Sequence, residues 1–213
     1  METNYDVIVC GGGPGGVGAA VGAARAGAKV LLIEKYGFLG GGATAMLVNP
    51  FMPYVAGGVQ LVKGVFQEIL DRLNEKNAYK PRAFDTEAMK IVTEELCLDA
   101  GVKLLYHSFL ADCTVEDGKI KNIRVATKDG LKTFTAKMYV DSTGDGDLAY
   151  FAGVPTKKGR DEDGHCQPMT MNFRMANVDQ SKRPPVQEMT RLYVEAKKAG
   201  KIKCPRENVL IFS

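Results

Sequence analysis

The chain reads as an α/β protein: a parallel sheet with flanking helices, a three-stranded antiparallel β-meander, and the start of a second, α+β domain. Three observations predict this. The run "YDVIVC" passes through "GGGPGG" into an Ala/Gly/Val helix and then into a second apolar run, "KVLLIEK". Two Asp-Gly pairs then punctuate three β-type runs. Beyond Val154 the texture becomes polar and turn-rich. The expected domains are residues 1–155 and 156–213, the second incomplete.

Each element follows from its pattern. "YDVIVC" is short and β-branched, as a buried strand is. The helix covers Val17 to Ala26, and Gly27 stops it. With "KVLLIEK" these make a βαβ unit, expected to be parallel and right-handed. "GFLGGGAT" is a glycine-rich loop, and Pro50 and Pro53 interrupt any regular element after it. Val59, Val62, Phe66, Ile69, Leu70 and Leu73 recur at helical spacing, which predicts an amphipathic helix over Gln60 to Glu75. A further helix runs from about Asp85, its N-cap, to Asp99, with Gly101 past its end. "VKLLYH" is a strand. "FLADCTV", "KIKNIRVAT" and "LKTFTAKMYVD" are separated by "EDGK" and "KDGL", a strong hairpin signal, so the meander is placed at about residues 108 to 137. "YVDSTGDGDLAYFAG" reads as another strand, a tight turn and a short helix. "MTMNFRM" alternates like a half-buried strand, and "PVQEMTRLYVEAKKAG" is helical.

Composition excludes several function classes. The net charge of +3 is small and the charges are interspersed, which argues against nucleic acid. No apolar run approaches the roughly 20 residues of a membrane span. Glu2 and Asp6 stand where a signal peptide would be basic. The five cysteines (Cys10, Cys97, Cys113, Cys166, Cys204) are odd in number and scattered, with no metal-ligand spacing. The expectation is a cytoplasmic protein without membrane or nucleic-acid partners and without metal. Chelator-washed protein should carry no stoichiometric iron or zinc.

The glycines have separable jobs in a dinucleotide fold. Gly11 permits the tight turn leaving the strand, Gly13 lets the backbone approach a pyrophosphate, and Gly16 lets the helix pack closely on the sheet. The phosphates would sit at the helix N-terminus, where unpaired N–H groups favour negative charge. Glu34 ends the second strand and suits the ribose hydroxyls, and its charge disfavours a 2′-phosphate. FAD and NAD share this fingerprint. A second glycine loop directly after Glu34, and a meander followed by "VDSTGDGD", favour FAD over a plain NAD domain.

At these segments the chain resembles the FAD-dependent oxidoreductases of the glutathione-reductase-like, two-dinucleotide-binding class. More narrowly it is similar to the family related to the heterodisulfide reductase flavoprotein subunit. The matching stretches are "DVIVCGGGPGGVGAA", "LLIEKYGFLGGGATAMLVNPFM", "VDSTGDGDLAYFAGVP" and "CQPMTMNFRM". The resemblance implies that Gly11, Gly13, Pro14, Gly15 and Gly16 hold the FAD pyrophosphate and Glu34 the adenosine ribose. It places Lys35 near the ribose, the alternative being a solvated lysine. Gly41, Gly42, Ala43 and Thr44 would line the loop toward the flavin. Leu110 would touch adenine through its backbone, core packing being the alternative. Thr143 and Gly144 would close over the nucleotide, as would Asp145, the alternative for it being an Asp-Gly turn that needs no ligand. Two departures stand out: the closely spaced iron–sulfur cysteines of many relatives are missing, and Gly42 occupies the usually non-glycine position of "GGxAT".

If FAD is bound, the isoalloxazine ring does the redox chemistry and the protein supplies position and electrostatics. His165, Gln167, Thr170 and Arg174 are the substrate-side candidates. His165 sits in an Asp-rich turn that favours a solvent-exposed ring over an acid–base role, and His107 reads as structural. No catalytic residue is assigned, and Cys166 reads as an inert thiol without a resolving partner. The expected function is redox chemistry on an unidentified small molecule. The competing readings are a non-catalytic nucleotide-binding fragment or subunit and an NAD-dependent dehydrogenase. No second glycine-rich turn before a helix follows Gly144, and the chain closes on the apolar "NVLIFS". The expectation is therefore the N-terminal part of a longer flavoprotein, holding the adenosine half of the site. The flavin half would come from elsewhere, a partner chain or a dimer mate being the alternative, and an apolar patch would be exposed near Val209 to Phe212.

Overall fold

The computed structural model describes residues 2–80, 83–167, 169–207 and 209. The chain divides into two compact units, Met1–Met171 and Asn172–Ser213. In the first unit, β1 (Asn4–Cys10) leads into α1 (Pro14–Arg25) and β2 (Val30–Ile33). A 3-10 turn at Gly41–Ala43 and two short strands, β3 (Val55–Ala56) and β4 (Val59–Gln60), precede α2 (Val65–Glu75). Then come β5 (Tyr79–Lys80), β6 (Ala83–Phe84), α3 (Thr86–Asp99) and β7 (Lys103–Leu105). The meander is β8 (Phe109–Glu116), β9 (Lys119–Thr127) and β10 (Gly130–Asp141), and a short α4 (Asp147–Phe151) follows. The second unit carries a 3-10 turn at Gln180–Lys182 and α5 (Val186–Lys198).

Six strands form one sheet in the order β7-β2-β1-β10-β9-β8. β7, β2, β1 and β10 run parallel, whereas β10–β9 and β9–β8 are antiparallel. This is the α/β dinucleotide-type architecture with the expected meander. Alternation along β1 and β2 divides the core between two faces. Val9, Val30 and Leu32 pack with Val17 and Val21 of α1, Leu73 of α2 and Val92 and Leu96 of α3. Ile8, Leu31 and Ile33 instead join Ile123, Val125 and Phe134 of the meander.

Four sequence expectations are corrected. The helix expected from Gln60 begins only at Val65. Gly57 and Gly58, at φ +56° and +77°, turn the chain into the β3–β4 hairpin, and Gly64 at φ +65° precedes the helix, leaving Val59 and Val62 exposed outside it. The first helix, conversely, starts at Pro14, because proline's fixed φ suits a first helical position. The meander's third run and the strand at "YVD" are one strand. β10 pairs with β9 over 130–134 and with β1 over 135–141, so the chain changes partners without a turn. Finally, "MTMNFRM" forms no strand: Met169, Met171, Phe173 and Met175 are all exposed. Alternation buries a face only when another strand or helix covers it, and among the described residues no strand pairs with this segment. Of the patch expected near Val209 to Phe212, residues 210–212 lie outside the described residues.

The N-cap of α3 is as expected. The Asp85 carboxylate accepts from the backbone N–H groups of Glu87 (2.7 Å) and Ala88 (2.9 Å). Asp85→Ala should lower stability by about 1 kcal/mol, read as a drop in the thermal midpoint of the whole unit.

Candidate functional site

A cleft of about 740 Å³ opens at the carboxyl ends of β1, β2 and β10, lined there by Cys10, Ile33 and Asp141. Ligands bind outside strand carboxyl ends in this class of sheet, because the connecting loops and helix N-termini converge there. The glycine turn contributes Gly11, Gly13, Pro14 and Gly15 to the lining. Glu34 and Lys35 come from the end of β2, Gly41 and Gly42 from the next loop, and Leu110 from β8. Thr143, Gly144 and Asp145 complete the far wall.

The glycines differ in what constrains them. Gly11 has φ +101°, and a Cβ there would lie 2.3 Å from the Ser142 carbonyl oxygen. A Cβ on Gly16 would lie 1.9 Å from the Gly11 carbonyl oxygen, so this position sets how closely α1 approaches the strand. Gly13 is the opposite case. Its Cβ would meet only the Gly41 Cα, at 3.9 Å, so the protein itself leaves room for a side chain. Its conformation, φ −69° and ψ −179°, is one any residue adopts. The space beside Gly13 belongs to the cleft, at a helix end with no side-chain cap and no acid in its first turn. Pro14 has no N–H, and the N–H groups of Gly15 and Gly16 in the first turn of α1 have no intrahelical partner. That cradle fits a pyrophosphate.

Glu34 is buried, yet its carboxylate is tied to both neighbouring loops. Oε2 accepts from the Gly12 N–H at 2.7 Å and Oε1 from the Tyr36 N–H at 2.9 Å. A carboxylate has about four lone-pair sites, so two stay available for hydroxyls. Gly12, absent from the sequence-derived set, is crowded by side chains: a Cβ there would lie 2.4 Å from Leu39 Cδ2 and 3.0 Å from Glu34 Oε2, so one of them would have to shift. Asp141, also missed, organises the far wall. Burial raises its pKa, but hydrogen bonds from the N–H groups of Ala149 and Thr143 and the Thr143 hydroxyl outweigh this and hold it below the usual carboxylate range. Cys10 keeps its proton, because burial, with Asp141 nearby, pushes its thiol up to about 12.

Three of the expected cofactor-binding residues do not line the cleft. Gly16 lies behind the turn, as its packing role requires. Ala43 sits in the 3-10 turn, and the buried Thr44 hydroxyl donates to the Leu39 carbonyl at 2.7 Å, closing the loop. Of the substrate-side candidates, His165 and Gln167 line a separate open depression with Gly159, Arg160 and Cys166. The His165 ring is exposed, with Nδ1 2.9 Å from Asp163, a carboxylate also held by Arg160. Thr170 is exposed, and Arg174, in the second unit, is exposed as well. Sequence reasoning also missed the rim residues Tyr36 and Phe109, whose hydrophobicity reads as core.

The profile of the FAD dependent oxidoreductase family matches residues 6–209. The chain belongs to this family of flavoproteins. As a family member it is similar to the thiamine thiazole synthase of Aeropyrum pernix, 35% identical over 123 residues, covering 56% of this chain and 43% of that protein. It is also similar to the soluble pyridine nucleotide transhydrogenase of Escherichia coli, 56% identical over 41 residues, which is 19% of this chain and 9% of that one. The chain thus spans less than half the length of these curated relatives. Among solved structures, L-proline dehydrogenase from P. horikoshii superposes with a TM-score of 0.56 at 16% identity, over 74% of this chain and 58% of that one. THI4 of Thermovibrio ammonificans gives 0.52 at 22% identity, over 74% and 67%. These two likenesses show the fold. Among the described residues of this FAD-dependent oxidoreductase family member, no three His, Cys, Asp or Glu side chains are grouped to hold a metal. Among the described residues no helix is long and apolar enough to cross a membrane.

Proposed function

We propose that the cleft binds the adenosine-diphosphate half of FAD and that the protein is an oxidoreductase acting on a small molecule. The observation that carries this reading is the contrast at the turn: Gly11 and Gly16 are required by the fold, whereas Gly13 borders only the cleft. In this reading the pyrophosphate rests on Gly13, Pro14, Gly15 and the α1 N-terminus. Glu34 accepts the ribose hydroxyls with the lone pairs that Gly12 and Tyr36 leave, and Lys35 borders the ribose. The Leu110 backbone meets the adenine. Gly41 and Gly42 pass the dinucleotide toward the flavin, while Ala43 and Thr44 hold their loop in shape. Thr143, Gly144 and Asp145 close over it, and Asp141 fixes that wall by holding Thr143.

When bound, FAD supplies two-electron transfer through its isoalloxazine ring. The chain's own contribution is to bind, orient and exclude water from the nucleotide. We assign no acid–base role to His165, whose ring is exposed and held by Asp163. His165, Gln167, Thr170 and Arg174 remain the substrate-side candidates. Residues 1–155 form the FAD domain and 156–213 begin a substrate domain. A partner chain or a second copy would contribute to the flavin side. Five free cysteines favour the reducing cytoplasm.

The test is the absorption spectrum and nucleotide content of protein reconstituted with FAD and freed of excess ligand. Flavin bands, and FAD released on denaturation, are expected; retention of NAD and no flavin would overturn the reading. Bleaching of the bound flavin by a panel of metabolite donors separates an enzyme from a non-catalytic binding module.

A further inference from the structure

We propose that Phe109, assisted by Lys35, is the stacking wall that seats the purine ring of the adenine nucleotide. The proposal rests on the reading of the cleft given above and assigns a role to a side chain that reading leaves unused. Phe109 lines the cleft and is 56% exposed, unusual for a phenylalanine beginning a sheet strand. Tyr36, also on the cleft, is 38% exposed. Between them sits Lys35, its Nζ 5.5 Å from the Tyr36 ring centroid and 5.7 Å from that of Phe109. Both distances lie within cation–π range. Among the described residues Lys35 pairs with no carboxylate, and these two rings are its partners.

The rim is held in place before any ligand arrives. The Glu34 N–H donates to the Leu105 carbonyl (2.9 Å), the Ser108 N–H to the Glu34 carbonyl (3.0 Å), and the His107 N–H to the Tyr36 carbonyl (3.2 Å). These three bonds lace the loop after β2 to the loop before β8. His107 stands at φ +50°, a left-handed conformation disfavoured for a residue with a Cβ. Strain of this kind persists where the surroundings dictate the backbone, and it clusters at ligand clamps. Tyr36 also stacks on Phe38, centroids 5.4 Å apart and planes 6° from parallel.

A flat, exposed, preorganised aromatic face beside a fixed cation suits a planar heteroaromatic ring. Such a ring stacks on the phenyl face that the Lys35 ammonium leaves open. Glu34 anchors the ribose one residue from Lys35, so the base attached to that ribose is the ring within reach.

The experiment uses the full chain, ADP-ribose as probe and calorimetry for affinity. Wild-type protein should bind ADP-ribose. Phe109→Ala should weaken it about 10-fold or more, the range for one lost stacked base, and Phe109→Tyr should restore it. The chain contains no tryptophan, so Phe109→Trp places a single reporter in the wall. Its emission should change on adding ADP-ribose and stay unchanged with ribose 5-phosphate, which has no base. Affinity of Phe109→Ala within twofold of wild type, or a Phe109→Trp emission blind to ADP-ribose while calorimetry shows binding, overturns the proposal and leaves the cleft reading standing. A wild type that binds neither ADP-ribose nor FAD overturns both.

Discussion

Gly13→Val should give a protein that melts at the wild-type temperature without ligand and fails to retain FAD. The two halves of this result come from one observation. A Cβ at Gly13 would make only an ordinary contact, 3.9 Å from the Gly41 Cα, and the backbone there is extended, so the fold accepts a Cβ at this position. In the proposed reading the ligand does not: an isopropyl group would fill the place where the phosphates meet the α1 N-terminus. Overpacking a close contact costs about 1–3 kcal/mol, and displacing the anion from those donors adds to it, so FAD affinity should fall at least about 100-fold. Gly16→Ala is the contrasting control. Its Cβ would lie 1.9 Å from a backbone carbonyl oxygen, so the unliganded protein itself should be destabilised. Equilibrium dialysis against FAD and thermal melts of the two apoproteins make the comparison. Normal FAD retention in Gly13→Val would put the pyrophosphate elsewhere.

Glu34→Ala should weaken FAD by roughly 1.5–3 kcal/mol, or about 10- to 150-fold, the range for hydrogen bonds to a charged group. This carboxylate has a second duty. It accepts from Gly12 and Tyr36, so its removal also leaves two N–H groups without an acceptor and should loosen the turn and the rim together. Glu34→Gln separates the effects, since its amide keeps the volume but offers one acceptor oxygen where the carboxylate offers two. It should recover part of the apoprotein's thermal stability and little of the affinity. Fluorescence titration with FAD, beside circular dichroism of each variant, reads both. Affinity unchanged in a folded Glu34→Ala protein would remove the ribose from this residue.

The nucleotide-binding character of this chain was legible in the sequence because its signals are local. A β-branched run, glycines at three fixed positions, a helix and an acid at the next strand's end lie within thirty or so consecutive residues, and each reflects a short-range steric or electrostatic demand. The α3 cap and the Asp-Gly hairpins were legible for the same reason. What the tertiary structure decided depends on contacts that no local window holds. Only the partners available on each side make β10 leave the meander and join β1 without a turn. "MTMNFRM" has the alternation of a strand but no strand beside it, and Gly57, Gly58 and Gly64 override the helical periodicity that Val59 and Val62 suggest. The glycines look alike in sequence, yet Gly16 answers to a backbone oxygen, Gly12 to Glu34 and Leu39, and Gly13 to the cleft alone. Tyr36 and Phe109 read as ordinary apolar residues until hydrogen bonds between two distant loops bring both within reach of the Lys35 ammonium, because burial and pairing are properties of the folded chain and not of any segment of it.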